Sequence, residues 1–190
     1  MDQKETAAWV ERLQAGEEAA FDVLFAAYQK QAVRTAALIT GETALAEDVV
    51  QETFVTCLIH IRDLKEPMRF SSWFFRILTR CAWKASKERL PSVDWSEALE
   101  QALPQRADCY PSEQAETYEA LYQALDGLGK KQRTTLILYY FNDLSIREIA
   151  EATDSLEATV KTRLFAAKRR LKRVLETEGQ KGAKLYEFRV

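Results

Sequence analysis

The chain has 190 residues, of which 27 are Lys or Arg, 29 are Asp or Glu and one is His. The resulting net charge of −2 argues by itself neither for nor against a nucleic-acid partner. This length allows one domain or two small ones. The sequence contains no apolar run of about 18 residues and its N-terminus does not resemble a signal peptide, which predicts a cytoplasmic protein without stable membrane insertion.

Residues that carry chemistry in enzymes are sparse in this sequence. Cys57, Cys81 and Cys109 are widely spaced, and Cys57 with His60 offers two metal ligands without a second pair. His60 is the only histidine, and no phosphate-binding loop, dinucleotide fingerprint or nucleophile elbow occurs. The sequence therefore predicts reduced thiols, no metal, no cofactor and no catalysis.

The first two helical segments lie within residues 2–15 and 19–40. The first is amphipathic, with Ala8, Trp9 and Leu13 on one side. The second segment keeps a helical spacing of apolar residues, as one helix or two, and Gly41 is its expected C-cap.

The next helix, predicted for residues 45–61, has two different faces. The positions expected to face a core are Val49, Val50, Phe54, Leu58 and Ile61. The opposite, acidic face consists of Glu47, Asp48, Gln51 and Glu52. A face of this kind is usually just solvated, but it also suits docking onto a basic partner helix.

After a loop at Pro67, a helix capped by Ser71 or Ser72 is predicted to reach about residue 89. Its apolar stripe consists of Trp73, Phe74, Ile77, Leu78 and Cys81. Cations and a further aromatic residue lie beside that stripe: Arg76, Arg80, Trp83, Lys84 and Lys87. Because cations attract phosphate and aromatic rings stack on unpaired bases, this set favours binding to melted DNA, although its tryptophans and phenylalanines equally suit a core.

Residues 90–114 are rich in proline and acidic residues and poor in periodicity, which predicts a linker. Helix is expected again from Glu113, with Leu125 facing inward, and the segment 127–129 ends it. A further helix is predicted for Lys130–Tyr140. No alternating strand pattern persists, so the predicted fold is all-α, in two small helical bundles joined by a flexible linker.

The segment 144–175 predicts a helix-turn-helix. Ser145 and Glu148 have the spacing of a capping box, and Thr153-Asp154-Ser155 breaks the pattern, with Asp154 or Ser155 available to cap the next helix. In that second helix the inward positions are Val160, Leu164, Ala167, Leu171 and Val174. The outward positions are Lys161, Thr162, Phe165 and Arg169, with Arg173 further along. A basic second helix of this kind suits a DNA major groove, although a solvated basic face is the simpler alternative.

Three motifs together resemble the extracytoplasmic-function sigma factors of the sigma-70 family, over residues 18–175. AEDVVQETF (46–54) resembles region 2.2, SSWFFRILTRCAWK (71–84) resembles regions 2.3 and 2.4, and REIAEATDSLEATVKTRLFAAKRRL (147–171) resembles region 4.2. The chain departs from the family where Thr153-Asp154 replaces a frequent Leu-Gly turn, where Ala158 replaces a usual glycine, and where Arg80 replaces a frequent asparagine.

The resemblance implies a role for each of the three motifs. Residues 1–90 would form a region 2 domain, 91–114 an acidic linker, and 115–190 a region 4 domain. The acidic face would dock on the β′ clamp helices of core RNA polymerase, and region 4 would meet the β flap. The −10 promoter element would be melted and read by Trp73, Arg76, Arg80, Trp83, Lys84 and Lys87. The −35 element would be read by Lys161, Thr162, Phe165, Arg169 and Arg173. An anti-sigma factor that holds the protein inactive until a stress or envelope signal is the further expected partner.

Two other functional classes remain open on the sequence. A helix-turn-helix regulator acting without polymerase would bind duplex DNA by itself and would not need the acidic face at residues 47–52. A purely helical adaptor that binds only protein would leave both basic faces unused.

Overall fold

The computed structural model describes residues 1–86, 125 and 127–177, with side chains up to Arg173, and every regular element in these ranges is helical. The α-helices, in chain order, are α1 (Gln3–Gln14), α2 (Ala19–Thr40), α3 (Thr43–His60), α4 (Phe70–Ala85), α5 (Lys130–Tyr140), α6 (Ile146–Ala152) and α7 (Glu157–Thr177). Two short 3₁₀ helices, Ile61–Asp63 and Pro67–Arg69, connect α3 to α4. The all-α fold expected from the sequence is confirmed.

Several helix ends follow from local side-chain chemistry. Asp2 accepts a hydrogen bond from the Glu5 backbone N–H at 2.8 Å and so caps α1. Gly41 ends α2 with φ 78°, a left-handed conformation that costs glycine little, and its N–H donates to the Ala37 carbonyl. Of the two alternatives left open by the sequence, one helix or two, the structure has one helix over residues 19–40. Gly41 is its C-cap, as expected.

The N-terminal half packs around α2, α3 and α4. Phe74 and Phe75 of α4 are fully buried, and Phe74 lies 5.1 Å from Phe54 of α3, between ring centroids. Tyr28 of α2 meets Phe70 edge to face at 5.2 Å. Aromatic pairs of this geometry contribute about 0.5–1.5 kcal/mol each beyond their buried area. Phe74 and Phe75 are thus core residues of this half.

The C-terminal half packs α5 and α6 against α7. The inward stripe expected for α7 is confirmed at its described positions: Val160, Leu164, Ala167 and Leu171 are all buried. Gly127 lies against the Arg170 guanidinium, where an added Cβ would come within 2.2 Å of Nη2. Gly127 thus leaves room for the guanidinium of Arg170 in its present position.

The two halves also contact each other, α2 against α5 and α4 against α6. Thr35 and Asn142, both buried, are joined across this contact by a hydrogen bond of 2.8 Å from Asn142 Nδ2. Arg133 donates to the Ile39 carbonyl at 3.0 Å, and Lys130 donates to the Trp83 carbonyl at 2.8 Å. An interface with so many polar contacts resembles those between domains that move relative to each other.

Some local expectations were wrong. Leu58, expected to face the core, is 48 % exposed, and Ala8 is exposed on α1 while its neighbour Ala7 is buried. The helix α4 begins at Phe70, before the serines expected to cap it, and the Ser72 hydroxyl donates instead to the Arg69 carbonyl. The predicted linker, the helix expected from Glu113, Lys87, Cys109 and the tail after residue 177 lie outside the described residues.

Candidate nucleic-acid and polymerase interfaces

A capping box and a compact turn build the helix-turn-helix. The Ser145 hydroxyl accepts from the Glu148 N–H while the Glu148 carboxylate accepts from the Ser145 N–H at 2.9 Å, so the predicted capping box is confirmed. In the turn, the Ser155 N–H donates to the Ala150 carbonyl at 2.9 Å. Arg163 of α7 donates to the Ser155 hydroxyl at 2.8 Å, which fastens the start of α7 to the turn.

The outward face of α7 has the cationic, hydroxyl and aromatic character expected from the sequence. Its exposed residues are Lys161, Thr162, Phe165, Arg169 and Arg173. Phe165 is 68 % exposed, an unusual position for a large apolar side chain. The Thr162 hydroxyl donates to the Ala158 carbonyl at 2.9 Å and keeps its acceptor lone pairs for a ligand. Exposed cations around an aromatic ring can contact phosphate and base edges together.

The cationic face of α4 lies beside α6, and the turn that follows α6 binds two of its arginines. Arg76 donates to one carboxylate oxygen of Asp154 at 3.0 Å, and Arg80 donates to the other at 2.6 Å. The hydrogen bond from Arg80, with the charge of Arg76 added, lowers the pKa of Asp154 below its ordinary value. The expectation that Asp154 or Ser155 caps α7 is wrong, because α7 begins at Glu157, the Asp154 carboxylate binds the two arginines of α4, and the Ser155 hydroxyl bonds to the Thr153 carbonyl and Arg163.

The remaining residues expected at the −10 element differ in their surroundings. Trp73 is half-buried, with its ring 6.0 Å from that of Phe70. Trp83 is half-buried between the halves, and its indole N–H donates to the Thr134 hydroxyl at 3.0 Å. Lys84 is exposed and pairs with Glu52 of α3 at 2.9 Å. The structure thus gathers these side chains along α4 but covers several of them.

The acidic face of α3 continues into an apolar surface that the sequence reading missed. Glu47, Asp48, Gln51 and Glu52 are all exposed, as expected. Along the same side follow Val55, Leu58 and Ile59, which are 58 %, 48 % and 70 % exposed. Leu58 and Ile59 line an open groove of about 810 Å³ with Phe21 of α2. The signal was present in the sequence, because residues 48, 52, 55 and 59 follow helical spacing.

The candidate ligands for a metal do not come together in the part of the chain that the structure describes. Cys57 and Cys81 are buried thiols, and desolvation raises the pKa of both, with the neighbouring Cys81 adding to the effect at Cys57. His60 contacts Asp63 at 2.8 Å. Across the described ranges no group of three metal-ligating side chains forms, and no helix is long and apolar enough to span a bilayer.

Comparison with known proteins gives two family matches in the order of the two halves. The model for sigma-70 region 2 matches residues 24–88, and the model for sigma-70 region 4 matches residues 118–171. The RNA polymerase sigma factor SigV of Bacillus subtilis is 34 % identical over 124 residues, which are 64 % of this chain and 70 % of that protein. The ECF RNA polymerase sigma factor SigM of the same organism is 30 % identical over 151 residues, 80 % of this chain and 92 % of that protein.

A solved structure shares the overall fold. CnrH, in its complex with the cytosolic domain of CnrY, aligns with a TM-score of 0.70 over 93 % of this chain and 99 % of the CnrH chain. At 19 % sequence identity this likeness concerns the fold alone.

Proposed function

This chain belongs to the extracytoplasmic-function (ECF) branch of the sigma-70 family, and from this membership we propose how its surfaces divide the work of transcription initiation. The protein is a transcription initiation factor that works with core RNA polymerase on promoter DNA, and it is not an enzyme. The proposal concerns which side chains make each contact.

The −35 element is read by the outward face of α7. The observation that carries this proposal is the division of α7 into a fully buried stripe and an exposed cationic face around Phe165. Lys161 and Thr162 lie near the start of α7, next to the turn, where a recognition helix reaches base edges. Arg169 and Arg173 lie further along and contact phosphate.

The −10 element is melted and read by α4. Arg76, Arg80 and Lys84 supply cations, while Trp73 and Trp83 supply aromatic planes for unpaired bases. Unstacking a base step costs a few kcal/mol. Because this is more than a few exposed cations return, polymerase must contribute to opening, and DNA binding by the free protein is weak.

Core polymerase is held by α3. The carboxylates of Glu47, Asp48 and Glu52 attract a basic helix of the clamp, and the adjoining exposed surface around Leu58 and Ile59 supplies apolar area to bury. Charged residues next to exposed large apolar residues are typical of a protein–protein interface. A helix face that only contacts solvent has no need of exposed residues such as Leu58 and Ile59.

The remaining assignments complete the proposed division. Residues 1–90 act as the region 2 domain, 91–114 as an acidic linker and 115–190 as the region 4 domain that meets the β flap. The protein works in the cytoplasm, where polymerase and promoter DNA are found. An anti-sigma factor is a further proposed partner, in keeping with a structural neighbour, CnrH, that was solved with a second protein bound.

Reconstitution with core RNA polymerase tests the proposal. Transcript starts are mapped genome-wide with core enzyme alone and with core enzyme plus this protein. We expect new start sites preceded by shared elements near −35 and −10 that depend on the added protein. Start sites that do not change, together with tight duplex binding by the protein alone, would instead favour a regulator that acts without polymerase.

A further inference from the structure

We propose that Asp154, in the turn of the helix-turn-helix, is an intramolecular lock on the −10 surface, because its carboxylate occupies the two arginines of α4 that promoter DNA would need. The inference rests on the proposed function of α4. It adds a closed state of the free protein in which the −35 surface is open while the −10 surface is masked.

The geometry of the contact supports a lock. Arg76 and Arg80 are one turn apart on α4, so their guanidinium groups reach the same side, and Asp154 gives one carboxylate oxygen to each, at 3.0 and 2.6 Å. A carboxylate between two arginines has the charge and hydrogen-bonding capacity of a backbone phosphate. Asp154 therefore neutralises both cations and repels a phosphate that approaches them.

The backbone conformation of Asp154 is left-handed. Its φ is 46°, in the left-handed region that side chains other than glycine, asparagine and aspartate rarely enter. This conformation turns the carboxylate out of the helix-turn-helix and toward α4.

Other contacts hold the same closed arrangement. Trp83 donates to Thr134 at 3.0 Å and Lys130 donates to the Trp83 carbonyl at 2.8 Å, so an aromatic side chain proposed for base stacking is also covered. By contrast, Lys161, Thr162 and Phe165 on α7 are exposed. The closed state thus pairs Arg76 and Arg80 of one DNA surface with Asp154 and leaves the other surface without such a contact to α4.

The closed arrangement is also imperfect, which suits a reversible lock. The Nε–H of Arg76 is buried and has no hydrogen-bond partner among the described residues. A buried donor left without a partner destabilises the state that buries it. Movement of α6 away from α4 would let this donor bind water or phosphate, which stabilises the open state. The free-energy difference between the closed and the open state is therefore smaller than it would be if the donor had a partner in the closed state.

The test compares substitutions at Asp154 with a matched control at Asp143. Asp154→Asn keeps the size of the side chain and tolerates positive φ but removes the charge, whereas Asp154→Gly removes the whole side chain and also tolerates positive φ. Asp143 has a similar φ of 51° and precedes α6, and the carboxylate that Arg76 and Arg80 bind is that of Asp154, so Asp143→Gly changes a second left-handed aspartate and leaves both arginine contacts in place.

Two measurements on the full-length free protein separate closure from DNA binding. The first is the distance between spin labels at Gln29 of α2 and Glu157 of α7, placed in a Cys109→Ser background in which Cys57 and Cys81 are buried. The second is the affinity for a random-sequence single-stranded 12-mer DNA, measured by fluorescence anisotropy. Asp154→Asn and Asp154→Gly should broaden the distance distribution and raise DNA affinity roughly three- to tenfold, and Asp143→Gly should change both quantities less.

A charge exchange adds a second criterion. Asp154→Arg alone should open the protein, and adding Arg80→Asp should restore part of the short distance. An unchanged distance in Asp154→Asn overturns the lock but leaves the proposed function of α4 intact. A longer distance with unchanged DNA affinity means that α4 is not a DNA surface, and it overturns both.

Discussion

Lys161 and Arg173 lie about 18 Å apart along α7, at a rise of about 1.5 Å per residue, and this separation predicts different roles for two exposed cations. Lys161 is next to the turn, where it reaches base edges, so Lys161→Ala should cost about 1–3 kcal/mol and relax base preference at one or two −35 positions. Arg173→Ala should weaken binding evenly across sequences and lower the salt slope by about one.

Selection of −35 variants by holoenzyme carrying each substitution checks this prediction. Both side chains are exposed, so neither substitution should change the free energy of unfolding appreciably, and thermal unfolding serves as the control. A preferred sequence that shifts with Arg173→Ala but not with Lys161→Ala would mean that α7 enters the groove from its other end.

Single residues also show what sequence could and could not predict at this scale. The side of α7 on which Lys161 and Phe165 lie follows from helical periodicity, and the Ser145–Glu148 capping box follows from spacing over three residues. The partner of Asp154 did not follow, because the arginines it binds are more than 70 positions away in sequence. Local patterns state which face is free, but not which distant helix will cover it.

At the scale of one helix, α3 combines a charged end and an apolar end along a single exposed side. Asp48→Lys places a cation where a basic polymerase helix is expected and should reduce co-purification with core enzyme at least tenfold. Glu52→Lys should have the same effect and should additionally release Lys84, its partner at 2.9 Å. Circular dichroism should be unchanged for both, because both positions are exposed.

The apolar end of α3 provides a separate test of docking. Leu58→Ser and Ile59→Ser remove side chains that are 48 % and 70 % exposed, so they should weaken core binding with little effect on stability. The matched control is Val50→Ser, which removes a side chain only 4 % exposed on the opposite face and should destabilise the fold. Core binding that survives both exposed substitutions would restrict the docking surface to the carboxylates.

The helices themselves were largely predictable, and the errors have a common physical cause. The bounds of α5 and the C-cap at Gly41 agree with the sequence reading because both depend on local signals. Leu58 was assigned to the core because α3 carries apolar residues on two sides, and periodicity cannot state which of two apolar stripes is covered by the neighbouring helices. An uncovered apolar stripe becomes visible only when the tertiary packing is known.

For the whole molecule, the contact between the halves predicts a closed state that responds to salt and not to physiological pH. Because the pKa of Asp154 is lowered, its carboxylate is charged at every pH above the ordinary pKa of a carboxyl group. The ion pairs of Asp154 are lost only when the pH falls through this lowered pKa. The charged groups facing Asp154 from α4 are Arg76 and Arg80. The only histidine, His60, contacts Asp63 instead. The closed state should therefore be constant between pH 6 and pH 8.

Salt acts differently, because the side chains of Asp154 and Arg80 are more than half exposed and screening weakens such pairs. Raising NaCl from 0.1 to 1 M should lengthen the distance between α2 and α7 in the wild-type protein. The Asp154→Asn variant should start from the longer distance and respond less, its remaining response coming from the ion pair of Arg69 with Glu151 at 3.6 Å, which also joins the halves. The polar contacts between neutral groups, such as Thr35 with Asn142, are not screened and should limit the opening. A distance that changes between pH 6 and pH 8, or equal salt responses in both proteins, would show that contacts other than the Asp154 ion pairs control closure.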